Sequence, residues 1–370
     1  MKLSRTSRLT ALLLGGALAL TGCASESDAD PAAQGGTSDL SCATGSVTAA
    51  GSSAQKNAMD DWVKAYQSGC SGATINYQSV GSGAGVEQFI AGTVDFAGSD
   101  SALKDDEQPQ ADKRCAGGAA GGTALNLPMV TGPVAIAYNL PGVEDLVLDA
   151  ATTAGIFAGK ITTWKDPAIT ALNEGAQLPS SKIAAFHRSD ESGTTDNVQK
   201  YLEAAAPEVW TFGDGKKFAA PGGLSAAKSD GVTQAVTTTP GAITYVELSY
   251  AENAGLGIAQ IDTGAKGDPV ALTAESAGKA VEAAKVVGTG SDLALELDYA
   301  TDEPGAYPII LVTYEIACSK GTPADALDLV KGFLTYTASE DGQAVLEEVG
   351  YAPLPASIRE RVAASVETLA

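Results

Sequence analysis

Thr74-Ile75-Asn76-Tyr77-Gln78-Ser79-Val80-Gly81-Ser82-Gly83-Ala84-Gly85-Val86-Glu87-Gln88-Phe89-Ile90 changes its period halfway along. Up to Val80 apolar and polar residues alternate, the two-residue repeat of a strand with one buried face. After a run of Gly and Ser, Val86, Phe89 and Ile90 fall on one face of a short helix. A strand, a glycine-rich turn and a helix in that order form the repeating unit of an α/β protein.

The same pattern extends in both directions. Met59, Trp62, Val63 and Tyr66 stand at i, i+3, i+4 and i+7, which predicts an amphipathic helix starting near Ser53. Val94 and Phe96 predict a short strand, and the apolar run 130–138 a buried one. Further strands are expected over 183–186 and 242–246. Helices are expected over 151–159, 197–205, 274–286 and 324–337, with Val198, Tyr201 and Leu202 facing inward in the second and Leu327, Val330 and Leu334 sharing a face in the last. No internal repeat is visible. The fold class is α/β, with sheets flanked by helices.

Residues 1–22 read as an export signal. Lys2, Arg5 and Arg8 precede an apolar run from Leu9 to Leu20, shorter than a bilayer span. The run closes on Leu20-Thr21-Gly22-Cys23, which resembles the lipobox of bacterial lipoproteins, whose Cys is diacylated after cleavage. That resemblance implies a lipid anchor at Cys23 on the outer face of the cell membrane; the other reading is ordinary secretion with a free thiol. Each buried methylene contributes roughly 0.8 kcal/mol, so two or more chains hold a protein at a membrane. Residues 23–41, rich in Ser, Asp, Ala, Gly and Pro, have little to bury and read as a tether.

The remainder is long enough for two domains and has no second apolar segment of membrane-spanning length. Net charge is −22, and −25 without the three positive charges of residues 1–22. Such a surface argues against nucleic acid or an anionic membrane face as partner. Cys42, Cys70, Cys115 and Cys318 are even in number in an exported chain, so two disulfides are expected. Of the three connectivities, Cys42–Cys70 with Cys115–Cys318 is favoured; the alternative is four buried thiols.

Three segments place hydroxyl or Gly residues just before a predicted helix: Gly51-Ser52-Ser53-Ala54, Gly81-Ser82-Gly83-Ala84-Gly85 and Asp190-Glu191-Ser192-Gly193-Thr194. The free N–H groups of a helix's first turn and the positive end of its dipole suit an anion. Ser and Thr add donors, and Gly lets an oxyanion approach the backbone. Taken singly, each segment is equally well an N-cap or a turn.

Together the segments resemble the phosphate-binding proteins of bacterial phosphate ABC transporters, over nearly all of residues 45–360. The landmarks are Tyr77-Gln78-Ser79-Val80-Gly81-Ser82-Gly83, Val94-Asp95-Phe96-Ala97-Gly98-Ser99-Asp100 and Ile156-Phe157-Ala158-Gly159-Lys160-Ile161-Thr162-Thr163-Trp164, then Arg188-Ser189-Asp190-Glu191-Ser192-Gly193-Thr194 and Pro240-Gly241-Ala242-Ile243-Thr244-Tyr245-Val246-Glu247. The resemblance implies a two-lobed periplasmic-binding-protein-like fold (type II) with a ligand cleft between lobes joined by hinge strands. It implies lobe I over 42–130 and 308–370, lobe II over 131–307, and crossings near 128–132 and 307–310. By position, the phosphate ligands fall on Ser53, the Ala54 amide, Ser82, Asp100, Arg188, Ser192, Gly193 and Thr194. Implied partners are inorganic phosphate and the permease subunits of an ABC importer, served by a monomer. Two departures from the family pattern are the missing aromatic wall at Ala54 and the extra carboxylate of Glu191, which must point away from the anion.

The chemistry of the set is coherent without the family. Hydrogen bonds to charged groups contribute about 1.5–3 kcal/mol each, enough for several donors and one guanidinium to outweigh desolvation and leave about −8 kcal/mol, a micromolar affinity. The planar fork of Arg188 grips two oxygens at once. Asp190 either holds that guanidinium or forms a turn. A carboxylate at Asp100 only accepts, so it favours a ligand that keeps a proton, as phosphate does and sulfate does not; the other reading is a turn or helix-start carboxylate. The competing functions are a phosphate-ester hydrolase and a tethered phosphate sensor. The single histidine, His187, follows a predicted strand and reads as a core or rim imidazole, so no enzyme is expected. No metal-ligand spacing is present, and neither cofactor nor metal is expected.

Overall fold

The structure, a computed structural model, describes residues 40–117, 121–265 and 267–370. Cys23, the export signal and nearly all of the tether lie outside the described residues. The chain opens with β1 (Gly45–Gly51), α1 (Lys56–Gly69), β2 (Ala73–Ser79), α2 (Ser82–Ile90) and β3 (Phe96–Ser99), so the change of period at Gly81 is a strand-turn-helix junction. Next, α3 (Gln108–Ala116) leads into the long β4 (Ala124–Asn139). There follow β5 (Val147–Asp149), α4 (Ala150–Phe157), α5 (Pro167–Leu172), β6 (Ala184–Arg188) and α6 (Gly193–Ala205), then β7 (Leu224–Ala226), α7 (Lys228–Thr237), β8 (Ala242–Glu247) and α8 (Leu248–Asn253). Short strands β9 (Gly257–Ile258) and β10 (Gln260–Asp262) precede α9 (Ala274–Glu282), β11 (Lys285–Val286) and β12 (Leu295–Glu296). Strand β13 (Ile310–Cys318) and helices α10 (Ala324–Thr337), α11 (Glu340–Glu348) and α12 (Ala356–Glu367) complete it.

A nine-stranded mixed sheet runs in the order β2-β1-β3-β13-β4-β8-β6-β7, with β9 on β4. The shared element is β4, an almost unbroken apolar run buried along its length except at Asn139, as expected of a strand covered on both faces. Its residues 124–133 pair antiparallel with β13, and 134–139 pair antiparallel with β8. Backbone hydrogen bonds therefore pass from one half of the sheet to the other along a single strand. Trp62, Phe96 and Phe333 fill one side of the first half, and Val86, Phe89 and Ile316 the other. Tyr138, Trp164, Tyr201, Trp210 and Tyr245 fill the core of the second half. The fold is α/β and two-lobed.

Several boundaries move for identifiable reasons. Helix α1 starts at Lys56, not near Ser53, because the Ser52 hydroxyl accepts from the Ala54 and Gln55 amides and holds a separate turn. Helix α6 starts at Gly193, four residues before the expected start, because the Ser192 hydroxyl caps the Thr195 amide at 3.3 Å. The stretch expected as one helix over 274–286 divides: α9 ends at Glu282, and Lys285 and Val286 pair with Glu296 and Leu295 in a hairpin. Ala277, Ala280 and Val281 of α9, in the span expected for lobe II, are buried with Val86, Phe89 and Ala50 of the first half.

Both disulfides have the favoured pairing, Cys42–Cys70 and Cys115–Cys318, spanning 28 and 203 residues. In the chain-entropy account a crosslink stabilises by restricting the unfolded chain, by about 3.5 kcal/mol for the shorter loop and about 5 kcal/mol for the longer. Denaturant unfolding of Cys115→Ser/Cys318→Ser is therefore expected to show a larger loss than Cys42→Ser/Cys70→Ser. Equal losses would contradict the loop-length argument.

Candidate functional site

The three hydroxyl- and glycine-rich turns meet around one carboxyl group. The Ser52 hydroxyl, in the turn between β1 and α1, donates to Asp100 Oδ1 at 2.5 Å. Ser82, the first residue of α2, donates to Asp100 Oδ2 at 2.9 Å. From β13, Thr313 donates to Asp100 Oδ1 at 2.8 Å. The turn before α6 arrives from the other half of the sheet: the Gly193 amide donates to Ser82 Oγ at 3.2 Å, and Asn197 Nδ2 donates to the carbonyls of Asp100 and Gly193, both at 2.7 Å. A Cβ on Gly193 would stand 2.5 Å from that of Asp100, so only glycine permits this approach. Across the same junction the Gly83 amide donates to the Glu191 carbonyl at 3.1 Å. The Glu191 carboxylate turns outward to Lys217 at 2.9 Å.

Arg188 ends β6 and is 3% exposed. Its Nε and Nη2 donate to the two oxygens of Asp190 at 2.8 and 2.5 Å, a bidentate pair that fixes the plane of the guanidinium. Nη1 donates to Ser229 Oγ at 3.3 Å. Ser229, near the start of α7, also touches Ser53: its amide donates to Ser53 Oγ at 3.1 Å and the two hydroxyls lie 3.0 Å apart. Thr194 donates to Glu247 Oε1 at 2.6 Å.

Of the expected set, Ser82, Asp100 and Gly193 touch one another, and Ser53 reaches Arg188 through Ser229. Thr194 is directed to Glu247. Two groups have local partners instead: the Ala54 amide donates to Ser52 Oγ at 3.0 Å, and the Ser192 hydroxyl is the α6 cap. The Ala54 turn is pinned by Tyr351 and Tyr250, which donate to the carbonyls of Ala54 and Ser53 at 2.5 and 2.9 Å. Residues the sequence reading did not select are Ser52, Thr313, Ser229 and Glu247. Ser52 stood inside a chosen motif, and Ser229 precedes Asp230-Gly231 in a turn-like run. Glu247 closes the Pro240–Glu247 landmark without being assigned a role, and Thr313, a polar residue within a strand, carries no signal.

Burial pushes the Asp100 carboxyl above the usual carboxylate range, while hydrogen bonds from Ser52, Thr313 and Ser82 and the charge of Arg188 pull it back. Burial likewise raises Glu247, again opposed by Arg188. For the Arg188–Asp190 pair burial works against both charges, yet their mutual attraction wins: the guanidinium is held above its ordinary value and the carboxyl below. His187 stacks on Phe218 at 4.1 Å with Nδ1 2.9 Å from the Arg188 carbonyl. Among the described residues no group of three or more His, Cys, Asp and Glu is placed to hold a metal ion.

Hydroxyls, amides and a fixed guanidinium drawn from both halves of one sheet belong to a two-lobed α/β binding protein. A family model described as a PBP superfamily domain matches residues 36–341. The phosphate-binding protein PstS2 of Mycobacterium bovis BCG is 44% identical over 375 residues, covering 100% of both chains. PstS 3 of Mycobacterium tuberculosis H37Rv is 43% identical over 380 residues with the same coverage, and PstS of Xylella fastidiosa 33% identical over 86% of this chain and 84% of its own. Among solved structures, the high-affinity periplasmic phosphate-binding protein PfluDING, bound with phosphate, superposes with a TM-score of 0.71 at 23% identity, over 86% of this chain and 93% of its own. A phosphate-binding protein of Stenotrophomonas maltophilia gives 0.67 at 20% identity, over 87% and 94%. The chain belongs to the PBP superfamily and, within it, to the PstS family of phosphate-binding proteins.

Because Arg188 lowers both Asp100 and Glu247, its removal raises both. A carboxyl whose folded pKa exceeds its unfolded value stabilises the fold at low pH, and that contribution is lost as pH rises from the unfolded to the folded value. Arg188→Met is expected to move both carboxyls upward in carbon-13 NMR titrations and to steepen the fall of stability with pH above the ordinary carboxylate range. Unchanged titrations would show that the guanidinium does not govern them.

Proposed function

We propose that this chain binds inorganic phosphate between its two lobes outside the cytoplasmic membrane and delivers it to the permease subunits of an ABC importer. The observation that carries the reading is the meeting of Asp100, Ser82 and the Gly193 amide from opposite halves of the sheet, beside a guanidinium already oriented by Asp190. Full-length relatives named phosphate-binding proteins support it. In this reading Ser53, Ala54, Ser82, Asp100, Arg188, Ser192, Gly193 and Thr194 are the ligands. The phosphate oxygens replace the contacts these groups make with one another, and the Ala54 and Ser192 donors turn toward the anion. Asp100 accepts the proton that phosphate retains.

Lobe I comprises 42–130 and 308–370 and lobe II 131–307, except that α9 packs with lobe I; β4 and β13 serve as hinge strands. The chain acts as a monomer, held at the outer face of the membrane by a lipid at Cys23. Binding is favoured over hydrolysis because the imidazole of His187 is engaged with Phe218 and a backbone carbonyl, and no serine or threonine hydroxyl is hydrogen-bonded to it among the described residues.

Calorimetric titration is expected to show stoichiometric binding of phosphate, appreciable binding of arsenate, and sulfate weaker by at least about a hundredfold, since a second bare acceptor would face Asp100. Asp100→Ala should shrink that discrimination; equal affinity for sulfate and phosphate in the wild type would sink the role given to Asp100. Turnover of p-nitrophenyl phosphate by the pure protein would favour a hydrolase instead. Metabolic labelling with palmitate tests the anchor, with label expected on the wild type and lost in Cys23→Ser. Normal phosphate uptake in a strain deleted for this chain would favour a sensor.

A methyl group at Gly193 keeps the α6 turn away from Asp100. Gly193→Ala is expected to weaken phosphate by about a hundredfold or more, on the scale of two charge-assisted hydrogen bonds. Wild-type affinity in this variant would mean that the two lobes need not meet there.

A further inference from the structure

Behind Asp100 lies a second buried acid that no step above uses. Glu315 is 0% exposed on β13, and among the described residues its carboxyl has no well-formed hydrogen bond beyond the approach of the Gln55 side chain. In the antiparallel register it stands opposite Gly98 of β3 and Leu127 of β4. Two residues earlier on the same strand is Thr313, which donates to Asp100 Oδ1. Residues two apart on a strand face the same side, so Glu315 and the Asp100 partner share a face about 7 Å apart along the strand.

Gly98 lacks the side chain that would otherwise separate them. A Cβ there would lie 2.0 Å from Gln55 Nε2 and 2.7 Å from the Tyr77 hydroxyl, so Gln55 and Tyr77 occupy the gap between Glu315 and the Ser52 turn. The Tyr77 hydroxyl donates to the Ser52 carbonyl at 2.8 Å, which spends its hydrogen, and it accepts from Gln55 Nε2 at 3.0 Å. That orients the Gln55 amide and leaves its Oε1 buried with no donor among the described residues. Glu315, beside Gln55, has a proton to offer this neighbourhood only when it is un-ionised. The charged and titratable groups around it are Asp100 and Tyr77, with Arg188 beyond Asp100. Burial first, and then the charge of Asp100, raise its pKa to about 8 against the opposing influence of Gln55, and the Tyr77 phenol is pushed up well above its own range.

We infer that Glu315 is a further affinity-determining residue of the anion site: held uncharged, it keeps a second negative charge away from the ligand beside Asp100, and its ionisation weakens anion binding. The inference rests on the phosphate-binding reading above. Linkage is reciprocal. A bound anion that makes Glu315 harder to ionise by about one pKa unit implies about a tenfold loss of affinity when Glu315 ionises.

The test is calorimetric titration of the full chain with inorganic phosphate between about pH 7 and about pH 9.5, at fixed ionic strength, in the wild type and in Glu315→Gln. The ligand's own proton loss is common to both proteins and cancels in the comparison. The loss of affinity over this range is expected to be about tenfold greater in the wild type than in the variant. Near pH 8.5, titrations in two buffers of different ionisation enthalpy should show the wild type taking up more protons on binding. Identical pH profiles and identical proton uptake would overturn the role of Glu315 while leaving the phosphate site intact. Absence of phosphate binding at every pH would instead remove the site reading itself. If the Gln variant does not fold, carbon-13 NMR of glutamate-labelled wild type decides. A glutamate carboxyl titrating near pH 8 and moving upward with phosphate supports the inference. The lack of such a group overturns it.

Discussion

The site turns on one buried guanidinium and the carboxyl groups around it. Asp190 takes one edge of the Arg188 fork through two short hydrogen bonds, which both neutralises the charge and sets its plane. A lone buried cation would be costly, and a freely rotating one would be a poor receptor. The pairing removes both problems and still leaves Nη1 free to face Ser229. Arg188 also opposes the rise that burial gives the Asp100 and Glu247 pKa values, so its position on β6 bears on groups supplied by other elements. The hydroxyls and amides that meet Asp100 and Arg188 are neutral dipoles, cheap to bury because each has a partner.

What could be read from the residues follows from which signals are local. The change of period at Gly81 placed β2 and α2, and the apolar stripe of α10 marked that helix over its full length because nothing nearby competes with a 3.6-residue repeat. Strand β1 escaped notice: Val47, Ala49 and Ala50 are buried, but small residues with Thr and Ser between them make no clear alternation. The end of α9 is not legible because Ala277, Ala280, Val281 and Ala284 keep the i, i+3, i+4, i+7 spacing past Glu282, while a hairpin partner about ten residues later captures Lys285 and Val286. In the candidate site, Ser82, Asp100, Arg188 and Gly193 are legible because they lie in or at the edges of turns, where Gly, Ser and charge are conspicuous. The contacts of Thr313 and Glu247 are not legible because a polar residue inside a strand looks the same whether it faces water or a buried partner, and only the register decides. The packing of α9 against the first half is tertiary information of the same kind.

A net charge of −22 and a receptor for anions are compatible because the two act over different distances. Surface charges are screened over about 8 Å in physiological salt. Amides and hydroxyls at the starts of α2, α6 and α7 act at hydrogen-bonding distance in an environment that water does not reach, where dipoles count for more. The exposed carboxylate nearest the junction, Glu191, is turned away and paired with Lys217, so the acidic surface does not intrude. Charge on the outside and donors on the inside are thus separate properties of one chain.

The contact between Gly193 and Asp100 explains why such an arrangement requires two lobes. A carboxyl group that is meant to test a ligand for a proton must be dry, since water would satisfy it whatever arrived. Drying it demands that backbone from the opposite half come close enough to exclude solvent. Only a residue without Cβ, carried on the first turn of a helix, can lie that near while presenting an amide. A rigid single-lobed site could be as dry but would have no entry path. In the proposed reading a hinge through β4, which pairs with β13 in the first half and with β8 in the second, lets the backbone ladder persist while the turns on either side part and meet. In the proposed reading, selectivity and motion therefore arise from one requirement, that Asp100 be reached by the ligand and then closed off from water.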